Sequence, residues 1–228
     1  MSNWKEIWNR RNSDEGVIDL DTLIKLDGYD TGAGRIDATN WRRHAASIAN
    51  RLGINNGATV YEVGCGSGAF LYALRELFPI KVGGIDYSAG LIATASQAMP
   101  DGHFTEGGAA TLDIVPQYDF VISNGVFHYF SLEYASEVLE RMMKKSKISV
   151  GIMDIPDVAT KDEAEALRRG ILGPEEYNEK YKGLEHTYYA RSWFEEQAKE
   201  HGFTCKIFDG CVPNYAQNSF RFGIIIHK

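Results

Sequence analysis

From residue 37 onward, short apolar runs alternate with longer stretches whose apolar side chains recur every three or four positions. Trp41, Ala45, Ile48 and Leu52 fall at i, i+4, i+7 and i+11, one stripe of a helix over about 37–52 that Gly53 ends. Strands are predicted at Thr59 to Val63, Lys81 to Ile85, Phe120 to Ser123 and Ile148 to Met153. Between them lie helical patterns: Phe70 to Phe78, a helix capped by Ser88 that stops before Pro100, and Leu132 to Met143, with Leu132, Ala135, Leu139 and Met142 on one face. This βαβα order predicts an α/β fold with a parallel sheet covered by helices.

The rhythm breaks between Pro156 and His186, where KDEAEALRRG and GPEEYNEKYKG replace a short connection, and a helical cap insertion over about 156–190 is expected. It resumes with a helix from Ser192 to His201 closed by Gly202, then strands Thr204 to Phe208 and Ser219 to Ile226, which lack an intervening helix and should pair antiparallel. Residues 1–36 read as a polar N-terminal extension. Trp4 and Trp8 suggest a short amphipathic helix, and LIKLDGYDTGAGRI, with Gly28, Gly32 and Gly34, reads as a loop.

The 228 residues, 44% of them hydrophobic, suit one domain spanning 1–228 with a sizeable core. No run approaches the roughly 18 apolar residues of a membrane span, and the start has no signal-peptide character, so the expected setting is the cytoplasm. Three cysteines without CxxC spacing argue against a disulfide framework or structural zinc site. The six histidines show no ligand spacing, and no metal is expected. A net charge of −7 with only short basic clusters weighs against nucleic acid as a partner. Oligomeric state is not legible.

The most informative stretch is Val60-Tyr61-Glu62-Val63-Gly64-Cys65-Gly66-Ser67-Gly68, a glycine-rich turn between a strand and a helix. Such a turn lets a ligand approach backbone N–H groups at a helix N-terminus. Asp86 ends the next strand about 20 residues later, where a carboxylate takes ribose hydroxyls. A dinucleotide would seat its pyrophosphate at the turn, and Glu62 puts a negative charge there, which suits an ammonium or sulfonium instead.

EVGCGSG, GIDYS, GGAATL and YDFVISNGVFHY together resemble the class I S-adenosylmethionine-dependent methyltransferases over roughly 55–155, and the C-terminal strand pair extends the match. The resemblance implies a Rossmann-like, mostly parallel seven-stranded sheet. It also implies Glu62, Gly64, Cys65, Gly66 and Gly68 at the methionine and ribose side of S-adenosylmethionine, Asp86 at the ribose and Tyr87 beside the adenine. Many members carry an acid followed by Ala before the fourth strand; here those positions are Gly108 and Ala109, so the adenine amino group needs another acceptor. Asn124 follows the fourth strand on the ligand side, and Tyr29 and Arg35 from the N-terminal loop are candidates for the cofactor carboxylate.

His128 and Tyr129 are the candidates facing the transferred methyl; His128, with an ordinary pKa near 6.5, would deprotonate a hydroxyl acceptor. His186, Tyr188, Tyr189, Tyr215 and Arg221 are the candidate walls for a small-molecule acceptor methylated on oxygen or nitrogen by in-line displacement. WKEIWNRR and LDGYDTGAG faintly resemble methyltransferases of bacterial surface-polysaccharide or secondary-metabolite pathways. Two alternatives stand: a nicotinamide-dependent oxidoreductase, because Gly64-x-Gly66-x-x-Ala69 fits a looser dinucleotide pattern, and a non-catalytic cofactor-binding scaffold.

Overall fold

The computed structural model describes residues 18–29, 36–181 and 186–228. Trp4, Trp8 and Arg35 lie outside the described residues. Fifteen elements carry the architecture: α1 (Leu20–Leu26), α2 (Ala38–Leu52), β1 (Thr59–Val63), α3 (Ala69–Leu77), β2 (Lys81–Asp86), α4 (Ala89–Ala98), β3 (His103–Glu106), β4 (Tyr118–Asn124), α5 (Leu132–Lys145), β5 (Ser146–Pro156), α6 (Lys161–Leu172), α7 (Pro174–Tyr181), α8 (Arg191–Glu200), β6 (Thr204–Asp209) and β7 (Arg221–His227).

The strands form one seven-stranded sheet in the order β3-β2-β1-β4-β5-β7-β6. β7 runs antiparallel to both β5 and β6, and the remaining pairs are parallel. The expected mixed sheet is thus the observed one. Its two faces feed two cores because successive strand residues point to opposite sides. Val60, Phe120, Ile122 and Ile225 pack with Trp41, Ile48, Phe70 and Leu74 of α2 and α3. Tyr61, Val63, Val121, Ile224 and Ile226 pack on the other face with Leu139 and Met142 of α5 and Phe194 of α8.

Two elements differ from the sequence pattern. LIKL, read as loop, belongs to α1: Asp19 caps it through Thr22 N–H, and Leu20, Leu23 and Ile24 are buried at i, i+3 and i+4. The glycines that suggested a loop begin only at Gly28, past its end. Strand β3 has no apolar run. It is a half-exposed edge strand held by β2 alone, with Gly83 opposite His103, so its pairing comes from the sheet and not from its own side chains.

Between β5 and α8 the chain leaves the sheet at Pro156, forms α6 and α7, and returns at Tyr189, whose N–H donates to the Pro156 carbonyl. Arg191 fastens this return, its Nε donating to Asp157 Oδ2 at 2.7 Å. Among the described residues, no helix is long and apolar enough to cross a membrane.

Candidate active site

β1 ends at Val63 and α3 begins at Ala69, so five residues reverse the chain, and Gly64, Gly66 and Gly68 all take the left-handed backbone that glycine alone adopts without strain. Every N–H from 64 to 69 is already bonded. Gly64 and Cys65 donate to the Ile85 carbonyl, Gly68 donates to the Cys65 carbonyl, and Gly66 donates to Asp86 Oδ2 at 3.0 Å. Ser67 donates to Asp27 Oδ1 at 2.6 Å and Ala69 to Asp27 Oδ2 at 3.2 Å. Asp86 also accepts from Ser88 N–H at 2.9 Å, which locks the start of the β2–α4 turn.

Three carboxylates therefore surround the turn: Asp27 at the end of α1, Glu62 in β1 and Asp86 at the end of β2. Burial pushes all three towards the protonated form, Asp27 to about 7. Glu62 is only 2% exposed, with Asp27 and Asp86 repelling its charge, and its Oε2 is buried without a hydrogen-bond partner. A buried acceptor in that state is a standing demand for a donor or a cation. Among the described residues, no group of three His, Cys, Asp or Glu side chains is arranged to hold a metal ion.

A second cluster lies at the carboxyl ends of β4 and β5. Gly125 has φ +68, and a Cβ there would meet the Tyr29 hydroxyl, so glycine is what lets Tyr29 reach in from the N-terminal segment. Asn124 Nδ2 donates to that hydroxyl at 3.3 Å. We expect Gly125→Ala to destabilise the fold by about 2 kcal/mol, from left-handed backbone strain and displacement of Tyr29. Urea unfolding is the check, and an unchanged midpoint would refute the contact.

Asp154, at φ +59, faces Arg221 across 3.7 Å, and both side chains are 5% exposed. Burial raises the Asp154 carboxyl, and at that separation the Arg221 charge lowers it less than burial raises it. Burial pulls Arg221 down, but Asp154 and the nearby Tyr215, Tyr188 and Tyr29 hold it above its ordinary value.

His128 and His186 meet with ring centroids 4.4 Å apart and planes tilted by 50°, and the Tyr129 ring centroid lies 3.9 Å from that of His128. Burial, with Arg221 and Arg168 adding to it, pushes both histidines well below the usual imidazole range. Both imidazoles are thus pushed towards the neutral form, away from the ordinary value expected for His128. Arg168 of α6 bonds His186 Nδ1 at 2.9 Å and also donates to the Tyr188 hydroxyl.

The structure brings His128, Tyr129, His186 and Tyr188 together, with Arg221 close enough to shift both imidazoles; Tyr215 meets Tyr29 at 6.4 Å. Tyr189 stands apart: it is fully buried, and its hydroxyl donates to the Phe127 and Phe130 carbonyls, so it supports the wall from behind. Cys65 also points inward; its thiol lies against Gly84 and is raised by burial, leaving its backbone to shape the turn. Tyr87 is half-buried beside Asp86, which adds to the burial that raises its phenol. Gly108 and Ala109 open a short 3-10 turn, and Ala110 N–H donates to the Tyr134 hydroxyl at 3.1 Å.

Asp27 and Arg168 escaped the sequence reading, and Asp154 stood out in it only as a carboxylate near the fifth strand. Asp27 sits in the same LDGYD segment as Tyr29, and Arg168 lies four residues after the buried Ala164, on the inner face of a stretch that otherwise reads as charged surface.

Residues 60–147 match the family model described as a methyltransferase domain. The glycine-rich turn, Glu62 in β1 and Asp86 at the end of β2 all fall within that stretch.

Trans-aconitate 2-methyltransferase of Escherichia coli strain K12 / DH10B is 29% identical over 93 residues, 40% of this chain and 37% of that protein. Malonyl-[acyl-carrier protein] O-methyltransferase of Priestia megaterium is 31% identical over 107 residues, 44% of this chain and 39% of that protein. The chain thus spans less than two-fifths of the length of these curated relatives. Among solved structures, the plantazolicin methyltransferase complexed with a pentazolic desmethylPZN analog and SAH superposes with a TM-score of 0.67 at 14% identity, covering 100% of this chain and 99% of that one. Magnesium protoporphyrin IX methyltransferase from Synechocystis PCC 6803 with bound SAH gives 0.65 at 15% identity, covering 100% and 95%. These two likenesses concern the fold alone.

Proposed function

We propose that the protein transfers a methyl group from S-adenosylmethionine to an oxygen or nitrogen atom of a small-molecule acceptor. The observation that carries this reading is the buried, unpartnered Glu62 carboxylate oxygen beside the glycine-rich turn, flanked by Asp27 and Asp86. It offers an acceptor for the ammonium at the methionine end of the cofactor. Asp86, whose two oxygens each hold one backbone N–H, keeps lone pairs for ribose hydroxyls. Tyr87 is the residue for the adenine, with Gly108 and Ala109 beyond it, and Tyr29 and Asn124 stand at the methionine side; Arg35 belongs to the same reading.

Bound there, the cofactor supplies a methyl carbon activated by its sulfonium. The chain's part is to place the acceptor atom in line with it and to exclude water. His128 and Tyr129 stand at that position, and a neutral His128 acts by hydrogen bonding and shape. His186, Tyr188, Tyr215 and Arg221 form the acceptor wall, backed by Tyr189. A carboxylate acceptor agrees with the acid names of the relatives and with Arg221, and its oxygen needs no base. The single-domain organisation, with its N-terminal segment and the 156–190 insertion as cap, belongs to this reading. So does a cytoplasmic setting, which the free thiols of Cys65, Cys205 and Cys211 suit.

Calorimetric titration with S-adenosylmethionine, S-adenosylhomocysteine and NADH under one buffer condition tests the reading. Micromolar binding of both adenosyl ligands without NADH is expected. Binding of NADH alone would restore the oxidoreductase alternative, and silence from all three would favour a scaffold.

A further inference from the structure

A strand–glycine turn–helix junction ordinarily offers its free N–H groups and the positive end of the helix to an anion. In this chain the seat is taken by a carboxylate of its own. The α3 N-cap residue, Gly68, makes no side-chain capping bond, and Asp27 supplies the cap from 40 residues upstream by accepting from Ser67 and Ala69. Gly66, at φ +53, has no Cβ where one would meet the Asp27 carboxylate, so the turn is shaped to admit it. The segment that carries Asp27 is firmly anchored: Leu20, Leu23 and Ile24 are buried in the core, and Ser67 Oγ donates to the Leu23 carbonyl at 3.1 Å.

We propose that Asp27 is a specificity-determining residue that closes the glycine-rich turn to phosphate and, with Glu62 and Asp86, tunes it to a positively charged sulfonium over the uncharged thioether product. The proposal rests on the methyltransferase reading for its cofactor, while the occupied anion seat is independent of it. A pyrophosphate would have to expel Asp27 and then lie among two further carboxylates with no free N–H between residues 64 and 69. S-adenosylmethionine and S-adenosylhomocysteine differ by one positive charge at sulfur, so a field of three carboxylates separates them where shape alone does not.

The groups that interact electrostatically with Asp27 are Glu62 from β1, Cys65 in the turn, Asp86 from β2 and Tyr29 beyond α1. All are acids, and burial lifts Asp27 itself to about 7 in the ligand-free protein. A cation binds best when Asp27 is ionised, so affinity for S-adenosylmethionine rises with pH through that region and levels off above it.

The test is calorimetry on the wild type, Asp27→Asn and Asp27→Ala with three probes: S-adenosylmethionine, S-adenosylhomocysteine and inorganic pyrophosphate. For Asp27→Asn we expect S-adenosylmethionine to weaken about tenfold and S-adenosylhomocysteine no more than about twofold, with the pH dependence near neutrality lost. For Asp27→Ala we expect pyrophosphate binding that the wild type lacks. Equal weakening of the two adenosyl ligands in Asp27→Asn would reduce Asp27 to a structural cap and overturn the proposal, as would a folded Asp27→Ala that ignores pyrophosphate. If Asp27→Ala fails to fold, the ligand ratio in Asp27→Asn decides. If the wild type binds neither adenosyl ligand, the functional reading and the sulfonium half of the proposal both fall, and the pyrophosphate arm alone judges the anion seat.

Discussion

Asp86→Ala is expected to weaken S-adenosylmethionine binding by about 100-fold or more, the largest single loss at the cofactor site. Two hydrogen bonds donated by ribose hydroxyls to a charged carboxylate, at about 1.5 kcal/mol each, set that scale. The substitution also strips Gly66 and Ser88 of their acceptor, and both N–H groups belong to turns that shape the site. A loss of about 2–4 kcal/mol in unfolding free energy should accompany it, since each orphaned buried donor costs about 1–3 kcal/mol. Asp86→Asn retains a carbonyl acceptor of the same size and should fall between the two on both measures. Calorimetry and urea unfolding on the three proteins separate binding from folding. Unchanged affinity in a folded Asp86→Ala would remove this residue from the site.

Arg221→Ala should carry the largest stability cost in the acceptor region, about 3–5 kcal/mol, because it leaves Asp154 buried without its cationic partner. Asp154 sits in a left-handed conformation and Arg221 Nη1 donates to its backbone carbonyl at 3.2 Å, so the guanidinium also fixes strained backbone. Asp154→Asn in the Arg221→Ala background should recover much of the loss by removing the stranded charge, a non-additivity that a double-mutant cycle measures. Additive losses would show that the two side chains do not act as a pair. Arg221 also lowers the pKa of His128 and His186, second to burial for His186 and after burial and His186 for His128. Replacing it with Gln should therefore raise both imidazole pKa values while leaving them below the free value, because burial remains. NMR titration of the imidazole protons reads that shift, and its sign must be upward.

Under the proposed function, the two histidines bear on how transfer would work. A base with an ordinary pKa would limit turnover below about pH 6.5, whereas an imidazole that burial, the neighbouring His186 and two arginines push towards the neutral form would, on that reading, contribute orientation. That arrangement suits an acceptor whose nucleophilic atom is already deprotonated. It also makes the arginines part of the chemistry of the wall, although they are easily mistaken for surface charge in sequence.

Much of the architecture was legible because the signals are local. The 3.6-residue stripe of Trp41, Ala45, Ile48 and Leu52, the apolar strands and the Ser88 cap specify their elements without help from distant residues, and the strand-helix alternation specifies the parallel sheet. The glycine-rich turn was legible too, since three left-handed residues in five leave few choices other than glycine. Edge strand β3 was not, because its stability comes from ladder bonds to β2 and its side chains carry little pattern. α1 was hidden by the glycines that follow it.

The candidate site divides along the same line. Glu62 and Asp86 stand at fixed distances from the turn, so the sequence by itself located these two acids beside it. Asp27 capping a helix 40 residues away, Arg168 turning inward from a charged stretch, and the Asp154–Arg221 pair were decided only by tertiary structure. Each depends on desolvation and on charges brought together from distant parts of the chain, and those energies exist only once the chain has folded around them.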